Sequence, residues 1–155
     1  FLLRPYPVPF GDRLVAVAET DRSNDLASSV AFPTFEALKA ERAVFEDGVA
    51  WTGETVSLRV GAGDAAERRF LQVATGNLFS LLRVPMAVGR GFTPDEDRQR
   101  APVLVLSHRY WHSRFGGDPG IVGRPVHVGG VPLTVIGVTA RDYPGTSNLV
   151  AVDGF

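Results

Sequence analysis

The fold of this 155-residue chain is decided by residues 103–138, which read VLVLSHRYWHSRFGGDPGIVGRPVHVGGVPLTVIGV. The stretch begins with four consecutive apolar residues, Val103–Leu106, which predict a buried strand. Ser107 predicts the N-cap of a helix that continues to Phe115, because a serine hydroxyl accepts a hydrogen bond from a free amide of the first helical turn. Glycines and a proline at 116–120 predict the end of that helix.

A hairpin is predicted in the second half of the same stretch. Residues 125–128 and 133–138 are rich in β-branched side chains, and Gly129-Gly130 between them suits the positive backbone angles of a primed turn. A local hairpin of this kind argues against a wholly parallel sheet.

Outside this stretch the sequence predicts shorter elements. The apolar run 14–18 predicts a buried strand, and the spacing of apolar residues predicts a helix over 32–44. Three further strands, expected to pair antiparallel, are predicted at 49–51, 55–60 and 69–74. A short helix is predicted at 77–82. Together these elements predict an α+β fold with a mixed, largely antiparallel sheet and a few helices.

Composition excludes several classes of protein. Hydrophobic residues make up 45% of the chain and charged residues 21%, which is typical of a globular domain rather than a disordered one. The net charge of −1 argues against a general nucleic-acid binder, and the absence of cysteine excludes a disulfide framework. No stretch is apolar over the roughly 18 residues of a membrane helix. The opening Phe1-Leu2-Leu3-Arg4 is the start expected of a chain that continues from a hydrophobic segment, although an arbitrary boundary gives the same start.

Two patterns resemble ligand-binding motifs but lack part of the required chemistry. Residues 61–66, GAGDAA, fit the loose dinucleotide pattern G-x-G-x-x-A, yet a strand rather than a helix N-terminus is predicted to follow them. A hairpin turn is therefore the preferred interpretation. His108 and His112 share one face of the predicted helix and could both reach one metal ion, but a zinc site needs a third protein ligand. The remaining histidine, His127, lies on the predicted hairpin.

No catalytic centre is predicted. Asp95, Glu96 and Asp97 lack the alternating oxygen ligands of a calcium loop and instead suit the first turn of a helix. The sequence has no G-x-S-x-G turn of a serine hydrolase, and no particular pair of carboxylates suggests a glycosidase. We therefore predict a non-enzymatic domain with no catalytic, cofactor-binding or metal-binding residues and no cofactor.

The aromatic residues are expected to pack within the protein. Tyr110, Trp111 and Phe115 predict a broad aromatic helix face over the sheet. Trp51 is expected to pack in the core or between lobes. An exposed aromatic groove for a ligand stays open as an alternative.

Residues 103–138 resemble the signature of the extracytoplasmic core domain of MacB/FtsX-type ABC transporter permeases, and most closely the multi-permease family found in acidobacteria and their relatives. Shorter supporting matches occur at 11–17, 29–35, 75–79 and 89–93, and at Asp97. The resemblance covers residues 5–145.

The resemblance implies a domain of two lobes, held outside the cytoplasmic membrane and inserted between the first and second transmembrane helices of a four-helix permease. A porter-like β-α-β lobe would comprise 1–87 with 147–155, and a smaller β-rich lobe would comprise 88–146. The segments 139–145 and 149–153 depart from the family pattern, which leaves open how the chain returns to the membrane.

The resemblance also implies a function. The domain would couple cytoplasmic ATP hydrolysis to substrate export or to mechanical signalling, at the periplasmic face of the bacterial inner membrane. The implied partners are a cytoplasmic ABC ATPase, a second permease in a homodimer, and a periplasmic adaptor or substrate, with no nucleic acid. Two alternatives stay open: a free-standing extracytoplasmic module that binds a ligand or protein, and an uncharacterised hydrolase without a supporting motif.

Overall fold

The structure is a computed structural model that describes residues 8, 11–17, 19–21, 24–28, 30–61, 63–146 and 151–155. By the density of its internal contacts the chain divides into two compact units, Phe1–Ala50 and Trp51–Phe155. These units do not coincide with the two lobes expected from the sequence, 1–87 with 147–155 and 88–146, and that division stays a prediction.

The described residues of the first unit form a strand pair and a helix. A 3-10 turn at Gly11–Arg13 precedes strands β1 (Glu19–Asp21) and β2 (Asn24–Ser28), which pair antiparallel, and helix α1 follows at Phe32–Ala40. Pro33 lies in the first turn of α1, where a missing amide hydrogen costs no helical bond. None of the α1 residues is buried.

Two expectations for this unit need correction. Leu14 to Val17 form no strand in the structure and are exposed, with Val15 at 74%, and Ala18 lies outside the described residues. An apolar run this short has no periodicity that separates a strand from an irregular segment. Helix α1 ends at Ala40 rather than at residue 44, because Glu41 leaves the helical backbone conformation.

The second unit is built on a six-stranded sheet. Its strands are β3 (Trp51–Arg59), β4 (Glu67–Ala74), β5 (Met86–Gly89), β6 (Val103–Leu106), β7 (Pro125–Val128) and β8 (Val131–Thr139). Its helices are α2 (Leu78–Leu81), α3 (Pro94–Arg98) and α4 (His108–Phe115), with a 3-10 turn at Pro119–Ile121. The order is β4-β3-β7-β8-β5, all antiparallel, and β6 adds to β8 in parallel. The predicted α+β fold with a largely antiparallel sheet is confirmed.

The decisive stretch forms the elements that its caps and turns predict. The Ser107 hydroxyl accepts a hydrogen bond from the Tyr110 amide at 3.3 Å, and α4 ends at Gly116 in the left-handed conformation with φ 62°. Gly129 and Gly130 have φ of 58° and 86°, as a primed hairpin turn requires.

Strand β3 is one element rather than the two short strands predicted from the sequence. Gly53 lies in its middle and pairs with Gln72 of β4. A β-carbon at Gly53 would lie 3.0 Å from the ring carbon Cε1 of Phe70, so the glycine makes room for that ring without ending the strand.

The last described segment, 151–155, closes the strands into a ring. Gly154 bridges Leu71 of β4 in parallel and Leu106 of β6 antiparallel. Val105 and Phe155 exchange two backbone hydrogen bonds, of 2.9 and 2.7 Å. Hydrogen bonding therefore runs continuously from β4 through β3, β7, β8 and β6 to this segment and back to β4.

All five strands of this ring supply the main hydrophobic core, together with α4 and the second 3-10 turn. Its buried members are Leu58, Leu71, Leu104, Leu106, Tyr110, Ile121, Val126, Val135 and Val138.

Helix α3 is fixed by a reciprocal capping box. The Thr93 hydroxyl accepts from the Glu96 amide, while the Glu96 carboxylate accepts from the Thr93 amide at 3.0 Å. The two terminal guanidinium nitrogens of Arg90, Nη1 and Nη2, also donate to the Glu96 carboxylate, at 2.8 and 2.7 Å. The hydrogen bonds from Arg90, with help from Thr93, lower the pKa of Glu96 from 4.5 to about 2.

The capping box predicts an acid-sensitive contribution to stability. We expect Glu96→Gln to lower the free energy of unfolding at pH 7 by about 1 kcal/mol. Because the folded pKa is depressed, this contribution is present above the unfolded value and is lost as the pH falls from 4.5 toward 2. Urea unfolding of both proteins at pH 7 and pH 3 measures the difference, with Glu54→Gln on the exposed side of β3 as the control. A difference that stays constant with pH would contradict the assignment.

Candidate functional site

Helix α4 has one buried side and one exposed basic side. Tyr110 is 1% exposed and belongs to the core, and the Arg69 guanidinium lies over its ring at 4.9 Å. Burial raises the pKa of Tyr110, and the nearby Glu67 carboxylate raises it further. Trp111 is anchored through a 2.8 Å hydrogen bond from its indole nitrogen to the Asp118 carbonyl. These contacts fix the rotation of the helix and thereby turn its basic residues outward.

We define the basic depression as the open surface cavity of about 350 Å³ lined by His108, Arg109, His112, Ser113 and Arg141. Four of its residues lie on α4 as two adjacent pairs, 108–109 and 112–113, that are four positions apart, so they share one face. Arg141 follows the end of β8 and reaches the depression from a second element. None of the five lining residues is acidic, so the depression presents hydrogen-bond donors and positive charge.

Arg109 is held by a buried carboxylate. Asp153, whose side chain is 7% exposed, forms an ion pair with the Arg109 guanidinium and accepts a 3.2 Å hydrogen bond from the Phe70 amide. The Arg109 side chain is 58% exposed, so it contacts Asp153 while the rest of the side chain faces solvent. This ion pair joins α4 to the segment 151–155 and to β4.

The other arginine near the end of α4 is engaged with carboxylates. Arg114 donates to Asp64 at 3.0 Å and to Glu67 at 3.1 Å, and Glu67 also pairs with Arg69. The hydrogen bond from Arg69 is the largest cause that lowers the pKa of Glu67. This charged network connects α4 to the β3–β4 turn and to β4, and it is a structural network rather than an open site.

A second, smaller depression of about 240 Å³ lies at the β3–β7 edge. It is lined by Ser57, Arg59, Ala66, His127 and Gly130. The Nδ1 atom of His127 is buried and has no hydrogen-bond partner among the described residues.

The structure separates the three histidines into two places. The rings of His108 and His112 stack with centroids 6.0 Å apart, as their shared helix face predicts, whereas His127 lies in the second depression. Within the described part of the chain, no three histidine, cysteine, aspartate or glutamate side chains lie close enough to hold a metal ion.

Other predicted motifs take structural positions. The glycine pattern at 61–66 connects β3 to β4, and the Gly61 amide donates to the Asp64 carboxylate at 3.2 Å, so the hairpin-turn interpretation is confirmed. Asp95, Glu96 and Asp97 form the first turn of α3, as predicted.

Trp51, at the start of β3, does not pack in the core, because it is 45% exposed. Its packing between lobes stays a prediction. The sequence also missed the roles of Arg141 and Asp153. Neither belongs to a local motif, and each meets α4 only through tertiary packing.

Comparison with known proteins assigns the chain to a family. The model of the MacB-like periplasmic core domain matches residues 5–153. The chain belongs to this family, whose members are domains of ABC transporter permeases.

The chain is similar to short segments of curated export proteins. It is 46% identical over 56 residues to the macrolide export ATP-binding/permease protein MacB of Nitrosomonas europaea, covering 36% of this chain and 8% of that protein. It is 37% identical over 74 residues to the protein of the same name from Burkholderia thailandensis, covering 46% of this chain and 11% of that protein. The chain therefore spans only about a tenth of the length of these relatives.

Solved structures share the fold. The periplasmic region of MacB from Actinobacillus actinomycetemcomitans aligns with a TM-score of 0.63 and 20% identity, covering 94% of this chain and 67% of that one. The extracellular domain of the noncanonical ABC-type transporter YknZ from Gram-positive bacteria aligns with a TM-score of 0.52 and 21% identity, covering 61% and 49%. None of the helices in the described part of this chain has the length and hydrophobicity of a transmembrane segment.

Proposed function

We propose that this chain is the extracytoplasmic domain of an ABC transporter permease and that it couples cytoplasmic ATP hydrolysis to substrate export or to mechanical signalling. The single observation that carries the proposal is the family match over residues 5–153, which includes strands β3 to β8 and helix α4. The domain lies at the periplasmic face of the bacterial inner membrane and has no catalytic role of its own.

The proposed partners are of three kinds. They are a cytoplasmic ABC ATPase reached through the membrane part of the permease, a second permease in a homodimer, and a periplasmic adaptor or substrate. The relatives from Nitrosomonas europaea and Burkholderia thailandensis are named as export proteins with ATP-binding and permease parts, which supports an ATPase partner.

The fold of the second unit suits the transmission of movement. A ring of strands joined by continuous hydrogen bonds cannot open at one edge without breaking backbone hydrogen bonds, so we expect it to move as one body. Its close-packed core transmits displacement in the same way. A movement applied at one end of the ring is therefore delivered at the other.

A spin-label experiment on the full-length permease with its ATPase tests the coupling. This chain has no cysteine, so Val131→Cys adds one label site to it at an exposed residue beside the hairpin turn. In lipid nanodiscs we expect a label-to-label distance between the two permeases that changes by several ångströms when ATP binds. An ATPase variant that cannot bind nucleotide is the control. A distance distribution that does not respond to ATP would contradict coupling, and the absence of any such distance would contradict the homodimer.

The basic depression favours a second candidate function, a module that binds a ligand by itself. On this alternative the 155-residue chain would bind its ligand with full affinity and the full-length protein would show no nucleotide-dependent movement. The two functions are thus distinguished by the label experiment.

A further inference from the structure

We propose that the basic depression binds a tetrahedral oxyanion of the phosphate or sulfate type, either as a free ion or as the headgroup of an anionic lipid. The inference goes beyond the proposed function, because it names a ligand for a defined set of side chains. It holds whether or not the domain moves with ATP.

Two guanidinium groups from different elements supply the main attraction. Arg109 projects from α4 and Arg141 follows β8, so the fold rather than local sequence brings them to one cavity. A guanidinium is planar, stays charged at all relevant pH values and matches two oxygens of a phosphate or sulfate at once. Arg141 has no ion pair or hydrogen bond with any described residue, and its side chain is exposed.

None of the residues that line the depression carries a carboxylate, and Asp142, next to Arg141 in the sequence, is exposed and outside the lining. Asp153 is buried and is satisfied by Arg109 and by the Phe70 amide. It therefore orients Arg109 and neutralises one charge, and the charge of Arg141 remains. The Ser113 hydroxyl adds a polar hydrogen for an anion oxygen, although it currently donates to the Tyr110 carbonyl at 3.2 Å.

Two histidines line the same depression as Arg109 and Arg141. The ring centroids of His108 and His112 lie 6.0 Å apart, and those of His108 and Trp111 lie 5.4 Å apart. Each imidazole has at least one N–H donor for an anion oxygen. A metal ion at this place would instead meet the like charges of the two arginines.

Sulfate is the probe of choice, because it stays a dianion between pH 8 and pH 5.5. We expect saturable shifts of the α4 and Arg141 amide resonances when sulfate is titrated into the 155-residue chain, with chloride adjusted to constant ionic strength. Arg141→Gln is expected to weaken binding at least tenfold, which corresponds to about 1.4 kcal/mol. Arg68→Gln, an equal loss of charge at an exposed position of β4, is the matched control and is expected to change binding less than twofold.

Linear shifts that never saturate, or equal weakening by Arg141→Gln and Arg68→Gln, would overturn the proposal and show general charge attraction instead.

A vesicle arm separates the two sources of the anion. Sedimentation with phosphatidylglycerol–phosphatidylcholine vesicles that depends on Arg141 would identify the lipid headgroup. Sulfate binding that depends on Arg141, together with no sedimentation, would identify the free ion. If the chain neither binds sulfate nor sediments with the vesicles in a way that depends on Arg141, the proposal is wrong.

Discussion

Replacement of Gly137 by alanine is expected to lower the free energy of unfolding by about 3 kcal/mol, at the upper end of overpacking effects. Gly137 of β8 pairs directly with Gly89 of β5. A β-carbon at Gly137 would lie 2.7 Å from the Arg90 amide nitrogen, which donates to the Ile136 carbonyl at 3.0 Å. Since the obstacle is backbone, it cannot turn aside as a side chain does, and β5 must move away from β8.

Urea denaturation of the 155-residue chain measures this loss. Gly63→Ala is the matched control, because its β-carbon would meet nothing within 4 Å and the residue lies in the β3–β4 turn. We expect the control to change stability by less than about 0.5 kcal/mol. Equal effects of the two substitutions would contradict the close approach of β5 and β8.

The second large effect is expected from Asp153→Asn, which should lower the free energy of unfolding by about 2 kcal/mol. The side chain is buried, pairs with Arg109 and accepts from the Phe70 amide, so the loss of its charge removes the partner of a guanidinium and places an amide nitrogen where an acceptor is needed. Its backbone also binds both neighbours in the ring, through hydrogen bonds from its amide to the Phe70 carbonyl and from the Ser107 amide to its carbonyl.

Asp142→Asn, at an exposed residue beside Arg141, is the control for the loss of one negative charge and should be nearly neutral. Arg109→Gln combined with Asp153→Asn completes a double-mutant cycle by urea denaturation, in which we expect the two losses to overlap by more than about 0.5 kcal/mol. Strict additivity of the two substitutions would contradict the ion pair as the link between α4 and the segment 151–155.

The elements with local signals could be predicted from the sequence. Ser107 before an apolar-periodic helix, a glycine just after it, and a glycine pair between two β-branched runs each act within a few residues, so 103–138 shows its strand, helix and hairpin directly. The capping signal at Thr93 and Glu96 is equally local, and the predicted helical turn there is confirmed.

Elements that depend on distant partners were missed. Strand β5 contains only Met86–Gly89 and is a strand because β8 pairs with it, some fifty residues later in the chain. The segment 151–155 likewise acquires its place between β4 and β6 from tertiary pairing. The strand predicted at 14–18 fails for the opposite reason: its composition suggests burial, but within the described residues 14–17 no strand pairs with it.

The basic depression could not be predicted from the sequence, because it also depends on residues that are distant in the chain. His108 and His112 were recognisable as neighbours because helical spacing places them on one face. Arg141 is separated from them by the whole β7–β8 hairpin, and only the return of β8 alongside β6 brings it to α4. The spacing rule within one helix therefore identified two of the five lining residues and raised a metal site only as an incomplete motif, while the complete cluster favours an anion.

The most direct test of the central claim is the membrane topology of the full-length protein that contains this chain. Alkaline phosphatase or a green fluorescent protein is inserted at Gly63, in the turn between β3 and β4, and each fusion is expressed in a bacterial host. A domain held outside the cytoplasmic membrane predicts active phosphatase and dark fluorescent protein. Bright fluorescent protein with inactive phosphatase would place the domain in the cytoplasm and contradict the account.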